Sequence, residues 1–461
     1  MRNRARSKRA FGDRRSGSLG PLGWLLGLLW LSLAAAWAAP AAALPSFAQQ
    51  TGETCSRCHV GAYGPQLKQY GRDFKLFGYT AGDGRNTLPP IAITAIAAYT
   101  QTRADRTPQP HFHRNDNAAF QSAMLAYAGR VAGGVGAFAE VFYDGVRQKF
   151  TLSRVDVKRT STGTLAGHDV VFGLDANNRP GVQDIWNSSP AFEFSAFSSQ
   201  FAATPSSSPL IDGRLASRVA GGGAFAMWDD TLYTEAAVYR PLDRAFLSRT
   251  GVATAANADR YAGAPAYWRL ALQHEFAETH YLEVGAYGLT ARRYPAGVQS
   301  AGQDRLSDVG LDATYQFIGD KRRYLASHVT WIRETARLDA SHVLTGARAS
   351  DRLDTLRADA ILSLDDTWTP AVEVFRTTGD QDPKFFRTPG GSPNSEGYVV
   401  ELGYAPWGKK HSPVNWANVK LTARWVGYTR FNGRTAGASA NDTLYVGLNA
   451  AVAPLGAWVK R

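Results

Sequence analysis

Asn418-Val419-Lys420-Leu421-Thr422-Ala423-Arg424-Trp425 alternates polar and apolar residues without a break. A strand sends successive side chains to opposite faces, so one face here carries Asn, Lys, Thr and Arg and the other Val, Leu, Ala and Trp. A wall between a polar lumen and lipid needs this division. Thr443 to Ala450 repeats it, with Thr443, Tyr445, Gly447 and Asn449 opposed to Leu444, Val446, Leu448 and Ala450. Further strand-like runs begin at Ile91 and near Ala118, Gly136, Leu152, His168, Leu215, Thr231, Tyr267, Tyr281, Leu306, Tyr324, Leu353, Ala371 and Tyr398. With those near Val419 and Thr443 they make sixteen candidates, each long enough for the roughly 9–11 residues of a membrane strand.

The connections sharpen the reading. Gly133-Gly134, Asp229-Asp230, Glu278-Thr279-His280, Gly319-Asp320-Lys321 and Asp365-Asp366 are turn signals. Between them lie long links near 104–116, 175–210, 241–266, 340–350, 378–395 and 431–441. Short turns alternating with long loops mark an outer-membrane barrel, and an even strand number brings both ends of the barrel to one side. A soluble β-sandwich or propeller predicts no such alternation, and no fixed-period blade repeat is present. The composition agrees: 461 residues hold 45 Gly, 19 Tyr and 12 Trp but 3 Met. The expected fold is all-β, a single-chain transmembrane β-barrel of about sixteen antiparallel strands over 91–461, preceded by a small α-helical domain at 44–90.

Residues 1–43 read as a signal peptide. Arg2, Arg4, Arg6, Lys8, Arg9, Arg14 and Arg15 form a basic start, Leu19 to Trp37 is apolar, and Ala41-Ala42-Ala43 offers a cleavage site. Arg14-Arg15 raises a twin-arginine reading, but Ser16-Gly17-Ser18 fits it poorly. An uncleaved anchor is the competing reading. The leader carries seven basic residues and one acid, hence +6 of the formal +12. The mildly basic remainder, without a basic block interleaved with aromatics, makes nucleic acid an unexpected partner.

Both cysteines of the chain lie in Cys55-Ser56-Arg57-Cys58-His59. Two thiols two residues apart, with histidine next, is the pattern of c-type haem attachment: each thiol adds to a vinyl group and the histidine lies beneath the iron as an axial ligand. A redox dithiol, a disulfide or half a zinc site are the plainer readings. Zinc would need further Cys or His nearby, and none follows before His111. The cofactor expected from the motif is one covalent haem c on Cys55 and Cys58, with His59 as its proximal iron ligand. Leu67, Tyr70, Phe74 and Phe77 then recur at helical spacing up to Gly78. Fewer than about 50 residues cannot build a sufficient core alone, so this unit needs haem and a host to pack on. Arg72 and Lys75 read equally as haem-propionate partners or as a solvated face.

The run Leu44-Pro45-x-Phe47-Ala48-x-Gln50-Thr51-Gly52, the haem motif, and Gly71-Arg72-x-Phe74-Lys75-x-x-Gly78-Tyr79 resemble the head of the outer-membrane monohaem cytochrome–porin fusions of iron-oxidising bacteria. Asn177 to Phe192 resembles a segment of the same family and reads either as an inward-folded constriction or as a surface loop. The resemblance implies an outer-membrane electron conduit, an Fe(II)-oxidising cytochrome that draws electrons from extracellular Fe(II) and passes them to a periplasmic c-type cytochrome or similar carrier. It places the cytochrome domain on the periplasmic side or within the lumen. A porin with a haem-bearing plug, or a conduit for another donor, is the alternative. Two features depart from the family: Tyr70 stands where Phe is expected, and the chain runs past the last strand to Trp458 instead of ending on an aromatic residue. The sixth haem ligand has candidates in Met124, Met227, His168, His111 and His113, with a five-coordinate iron as the alternative. His111, His113 and Asp116 together also read as a capture site for a divalent metal or as a plain polar loop.

Overall fold

The computed structural model describes residues 44–82, 89–188, 199–252, 258–319, 322–388, 390–407 and 416–455. The leader, Asp320 and Lys321 of one short turn, part of the Asn177–Phe192 segment, and Trp458 lie outside them. Three short helices come first: α1 (Pro45–Thr51), α2 (Cys55–Cys58) and α3 (Gln69–Leu76). Sixteen strands follow: β1 (Ile91–Thr102), β2 (Asn117–Ala132), β3 (Val135–Asp144), β4 (Lys149–Leu165), β5 (His168–Asn177), β6 (Val219–Trp228), β7 (Leu232–Pro241) and β8 (Arg260–Phe276). The second half comprises β9 (His280–Tyr294), β10 (Asp304–Ile318), β11 (Arg323–Arg337), β12 (Ser350–Leu364), β13 (Trp368–Gly379), β14 (Ser395–Tyr404), β15 (Ala417–Arg430) and β16 (Thr443–Val452).

Each strand pairs antiparallel with its neighbours in the chain, and β1 pairs with β16 from Ile93↔Val452 to Thr102↔Thr443. The sheet is therefore a closed barrel without an edge, the β arrangement that satisfies every strand's backbone polar groups in lipid. Most connections at one end are short and most at the other long, as the sequence predicts; the exceptions are the β3–β4 turn (145–148) and the β14–β15 link (405–416).

Two strand starts differ from expectation by more than three residues. β8 starts at Arg260, not near Tyr267, because a bulge between Ala262 and Ala266 absorbs the apparent breaker Gly263-Ala264-Pro265, with Gly263 at φ +68°. β6 starts at Val219, because Leu210–Arg214 forms a helical turn within the preceding link.

The alternation that defines the fold is kept in three dimensions. On β15, Asn418, Lys420, Thr422 and Arg424 face inward and are buried, while Leu421 is exposed outside. On β8, Trp268, Leu270 and Leu272 are each about half exposed outside, whereas Tyr267, Arg269 and Ala271 are buried inside. Phe276, Phe317 and Trp368 ring the exterior at the short-turn end, in the manner of an interfacial aromatic girdle.

The lumen is filled from both ends. At the short-turn end residues 44–82 pack against the inner wall and belong to the same compact unit as the barrel. Asn418 donates to the Ala62 carbonyl (2.8 Å), Lys68 pairs with Asp366 (2.8 Å), and Gln50 accepts from the Arg130 backbone (2.7 Å). From the long-link end, the β5–β6 link turns inward. Val182, Gln183, Asp184, Ile185 and Trp186 are at most 2 % exposed, and Leu210 and Ile211 are buried further along the same link.

A charge on the outer face tests the orientation of β8. Leu270→Arg is expected to cost about 2–4 kcal/mol in a urea titration of the lipid-folded barrel, and a cost below about 1 kcal/mol would show that Leu270 does not face the hydrocarbon.

Candidate functional site

The Cys55–His59 segment is a single helical turn. Cys55 and Cys58 stand three residues apart on α2, which brings both side chains to one face. The turn closes through the His59 amide, which donates to the Cys55 carbonyl at 2.8 Å. The chain then doubles back: Lys68 N donates to the Cys58 carbonyl (2.8 Å) and Val60 N to the Gln66 carbonyl (3.0 Å). Gly71 lets α3 lie against the turn, since a Cβ there would sit 2.5 Å from the Cys58 oxygen.

The chemistry of the segment fits haem attachment. Both cysteines are thiols rather than a disulfide. Burial, reinforced by Glu53, pushes the Cys58 thiol up to about 12, opposite to the lowered thiolate pKa of redox dithiols. Among the described residues no three His, Cys, Asp or Glu side chains converge as a metal site. Burial pushes the His59 imidazole down to about 4, which keeps it in the neutral form that binds iron. Its Nδ1 is buried without a hydrogen-bond partner among the described residues. Two thiols on one face beside a neutral, buried imidazole fit the donor set of a covalent haem.

An apolar cluster joins α1 and α3 to the wall. Phe47 of α1 contacts Phe74 of α3 edge-on (4.9 Å), stacks on Tyr79 (5.6 Å) and reaches Phe138 of β3 (6.3 Å). Ala48, Cys55 and Ala62 form a small buried cluster. The predicted helix runs from Gln69 to Leu76 and ends where Gly78 adopts φ +65°. Leu67 and Phe74 are buried as expected, but Leu67 precedes the helix and Phe77 is exposed.

Arg72 and Lys75 form no solvated face. Both are buried and grip the barrel: Arg72 donates to Gln316 (2.6 Å) and lies over the Tyr281 ring (3.8 Å), and Lys75 donates to the Asp184 carbonyl (2.5 Å) and Asn187 (2.7 Å). Asp184 and Asn187 belong to the inward β5–β6 link, so α3 and that link lock together in the lumen. The choice between constriction and surface loop is thereby settled for residues 179–188.

The remaining candidates are dispersed. Met227 is buried in a cluster with Leu76, Trp186 and Tyr233. Met124 lies on the lumen-facing row of β2 opposite Thr94. His168, at the β4–β5 turn, pairs with Asp229 (3.2 Å) and packs on Trp228. His111, His113 and Asp116 share a long link but do not converge. Asp116 accepts from Tyr99 (2.7 Å), whereas His113 lines a cavity of about 550 Å³ with Asp105, Arg106, Asn115 and Asn441.

Sequence reasoning missed a buried ionic cluster beside the plug. Arg269 of β8 pairs with Asp312 (2.7 Å), Glu283 (2.9 Å) and Asp184 (3.7 Å), all with fully buried side chains. Its signal was in the chain: Asp304, Asp308, Asp312 and Gln316 recur every four residues, on one face of a strand.

Among solved structures, the chain is similar to a loop-deletion mutant of the outer membrane protein OmpT of Vibrio cholerae, with 11% identity over 78% of this chain and 97% of that one and a TM-score of 0.42. It is similar to Salmonella typhi OmpF in complex with daunomycin, with 12% identity, 78% and 96% covered and a TM-score of 0.41. Pseudomonas putida OprB at high pH gives 11% identity, 78% and 93% covered and a TM-score of 0.44. Neither family models nor curated proteins give a match.

The low pKa of His59 carries a consequence for protein prepared without haem. The unfolded imidazole titrates near 6.5 and the folded one near 4, so as pH falls through that window only the unfolded state gains the proton. Stability of the haem-free chain is expected to fall over this interval, and His59→Gln to flatten that part of the stability–pH curve.

Proposed function

We propose that the protein is an outer-membrane electron conduit that takes electrons from extracellular Fe(II) and delivers them to a periplasmic c-type cytochrome or similar carrier; residues 44–90 form a monohaem cytochrome c domain in which Cys55 and Cys58 would hold the haem and His59 would ligate its iron. The observation that carries this reading is the position of the Cys55–His59 turn. A haem-attachment motif that fits its cofactor is packed inside a closed barrel, next to the wall, with the opposite side of the lumen occupied by an inward link. The apolar outer belt and the aromatic girdle support lipid of the bacterial outer membrane as the surroundings. Fe(II) as donor is supported by the resemblance of residues 44–79 to the cytochrome–porin fusions.

When bound, haem c supplies a one-electron couple whose potential follows axial ligation and burial. The chain's own residues do the rest. The two thiols fix the group so that it cannot be lost to the surroundings. His59 is held neutral and ready to ligate. Phe47, Phe74 and Tyr79 pack the unit on Phe138 of the wall. Arg72 and Lys75 tie the unit to the wall and to the link. Electrons then have a carrier in a membrane that offers none, while the oxidised metal stays outside.

The alternative, a solute channel with a haem-bearing plug, shares the barrel fold, but the filled lumen speaks against free passage. Conductance of the intact protein in planar bilayers is expected to stay far below that of an open sixteen-stranded pore. Lys75→Ala, which removes the tie between α3 and the link, is expected to raise it; high conductance of the intact protein would favour the channel.

Addition of Fe(II) to the purified, oxidised protein at the growth pH is expected to produce the spectrum of reduced haem c. Cys55→Ser with Cys58→Ser is expected to abolish covalent haem. Absence of reduction by Fe(II) would remove iron as the donor, and absence of covalent haem in the intact protein would end the conduit reading. His111→Ala with His113→Ala is expected to leave the rate of Fe(II) oxidation unchanged.

A further inference from the structure

The cluster around Arg269 holds more acid than base. Asp184, Glu283 and Asp312 surround one guanidinium, and all four side chains are fully buried. Uncompensated charge in such surroundings is costly and is relieved when a carboxylate takes a proton. Several atoms there have no hydrogen-bond partner among the described residues: Asp312 Oδ1, Glu283 Oε2, Arg269 Nη1 and the Tyr287 hydroxyl. Tyr287 is fully buried and Arg269 lies 5.6 Å from its ring. Unpartnered donors and acceptors at one buried place mark a site that takes water or an exchangeable proton.

The groups facing the carboxylates come from every neighbouring element. Tyr267 of β8 and Glu235 of β7 lie on one side, close enough to feel Arg269. On the other, His328 of β11 pairs with Asp359 of β12 (2.9 Å) and feels both Asp184 and Asp312. Ser188 donates to Asp312 (2.5 Å) from the link. Lys75 reaches the Asp184 backbone from α3 (2.5 Å). His328 is engaged by Asp359, and Lys75 by link oxygens.

The cluster is also joined to the haem-attachment turn. Gly71 of α3 touches Cys58, and Lys75 stands one helical turn further along, bonded to the residue whose carboxylate meets Arg269. A chain of direct contacts therefore connects the turn with the carboxylates.

We propose that the Glu283–Asp312 pair, steadied by Arg269, takes up one proton for each electron that reaches the group held by Cys55, Cys58 and His59. This rests on the conduit reading above. One electron leaves an external Fe(II), which becomes Fe(III), and lowers the charge at the turn by one. One carboxylate in the cluster gains a proton from water and becomes a carboxylic acid. When the periplasmic acceptor is reduced, electron and proton both leave, and the barrel interior returns to its former charge.

The test is a spectroelectrochemical titration of the intact holoprotein, with the haem midpoint potential followed across the acid and neutral range. Proton coupling predicts a potential that falls with rising pH by up to about 59 mV per unit, the value of a tenfold change for one electron. Asp312→Asn is expected to flatten the slope with the visible spectrum and covalent haem retained. Glu283→Gln, which preserves side-chain volume, serves the same purpose should Asp312→Asn fail to fold. A pH-independent potential in a protein with covalent haem, or an unchanged slope in a folded variant, overturns the coupling and leaves the conduit standing. Lack of covalent haem in the intact protein overturns both.

Discussion

The structure depends on the pairing of β1 with β16. Ten residue pairs, from Ile93↔Val452 to Thr102↔Thr443, turn an open sheet into a cylinder. An open sheet would present two rows of unpaired amides and carbonyls to lipid, each costing several kcal/mol. Closure also divides every strand into a wall face and a lumen face, and it encloses a space in which charged residues are shielded from lipid. The buried ions, the plug and the inward link all exist inside that space.

Closure creates a second demand. Arg, Lys, Asp and Glu on the inner face must find partners once plug and link exclude bulk water. They find them across strands and across elements. Lys420 and Arg424 of β15 share Glu401 of β14 at 3.1 and 2.5 Å. Arg214 of the link meets Glu334 of β11 at 3.0 Å. Arg214–Glu334 ties the link to the wall, and Lys68–Asp366 does the same for the N-terminal unit, which is too small to fold alone. Its missing core is the barrel's inner surface, to which Phe47, Phe74 and Tyr79 contribute a shared apolar contact with Ala126, Ala128 and Phe138.

Much of this was legible from residue order. Strand number followed from alternation and turn signals, since a period of two is imposed by the backbone. The Gly263-Ala264-Pro265 interruption misled the start of β8 because a bulge tolerates residues that a regular ladder rejects. Tyr70 and Phe77 misled the helix face because the host surrounds α3 on more than one side, burying Arg72 and Lys75 along with Phe74. The separation of His113 from Asp116 follows from link geometry, for which sequence spacing gives no rule.

Taken by itself, the sequence determined the strands, their two faces, the closed barrel and the Cys55–His59 motif, because each rests on local backbone periodicity or on atoms within a few residues. Only the tertiary structure decided that the motif packs against the inner wall, that Lys75 meets the β5–β6 link, and that Asp184, Arg269, Glu283 and Asp312 converge. Those contacts join residues 14 to more than 100 positions apart, and their partners are set by strand register and loop path around a closed cylinder, which no local periodicity records.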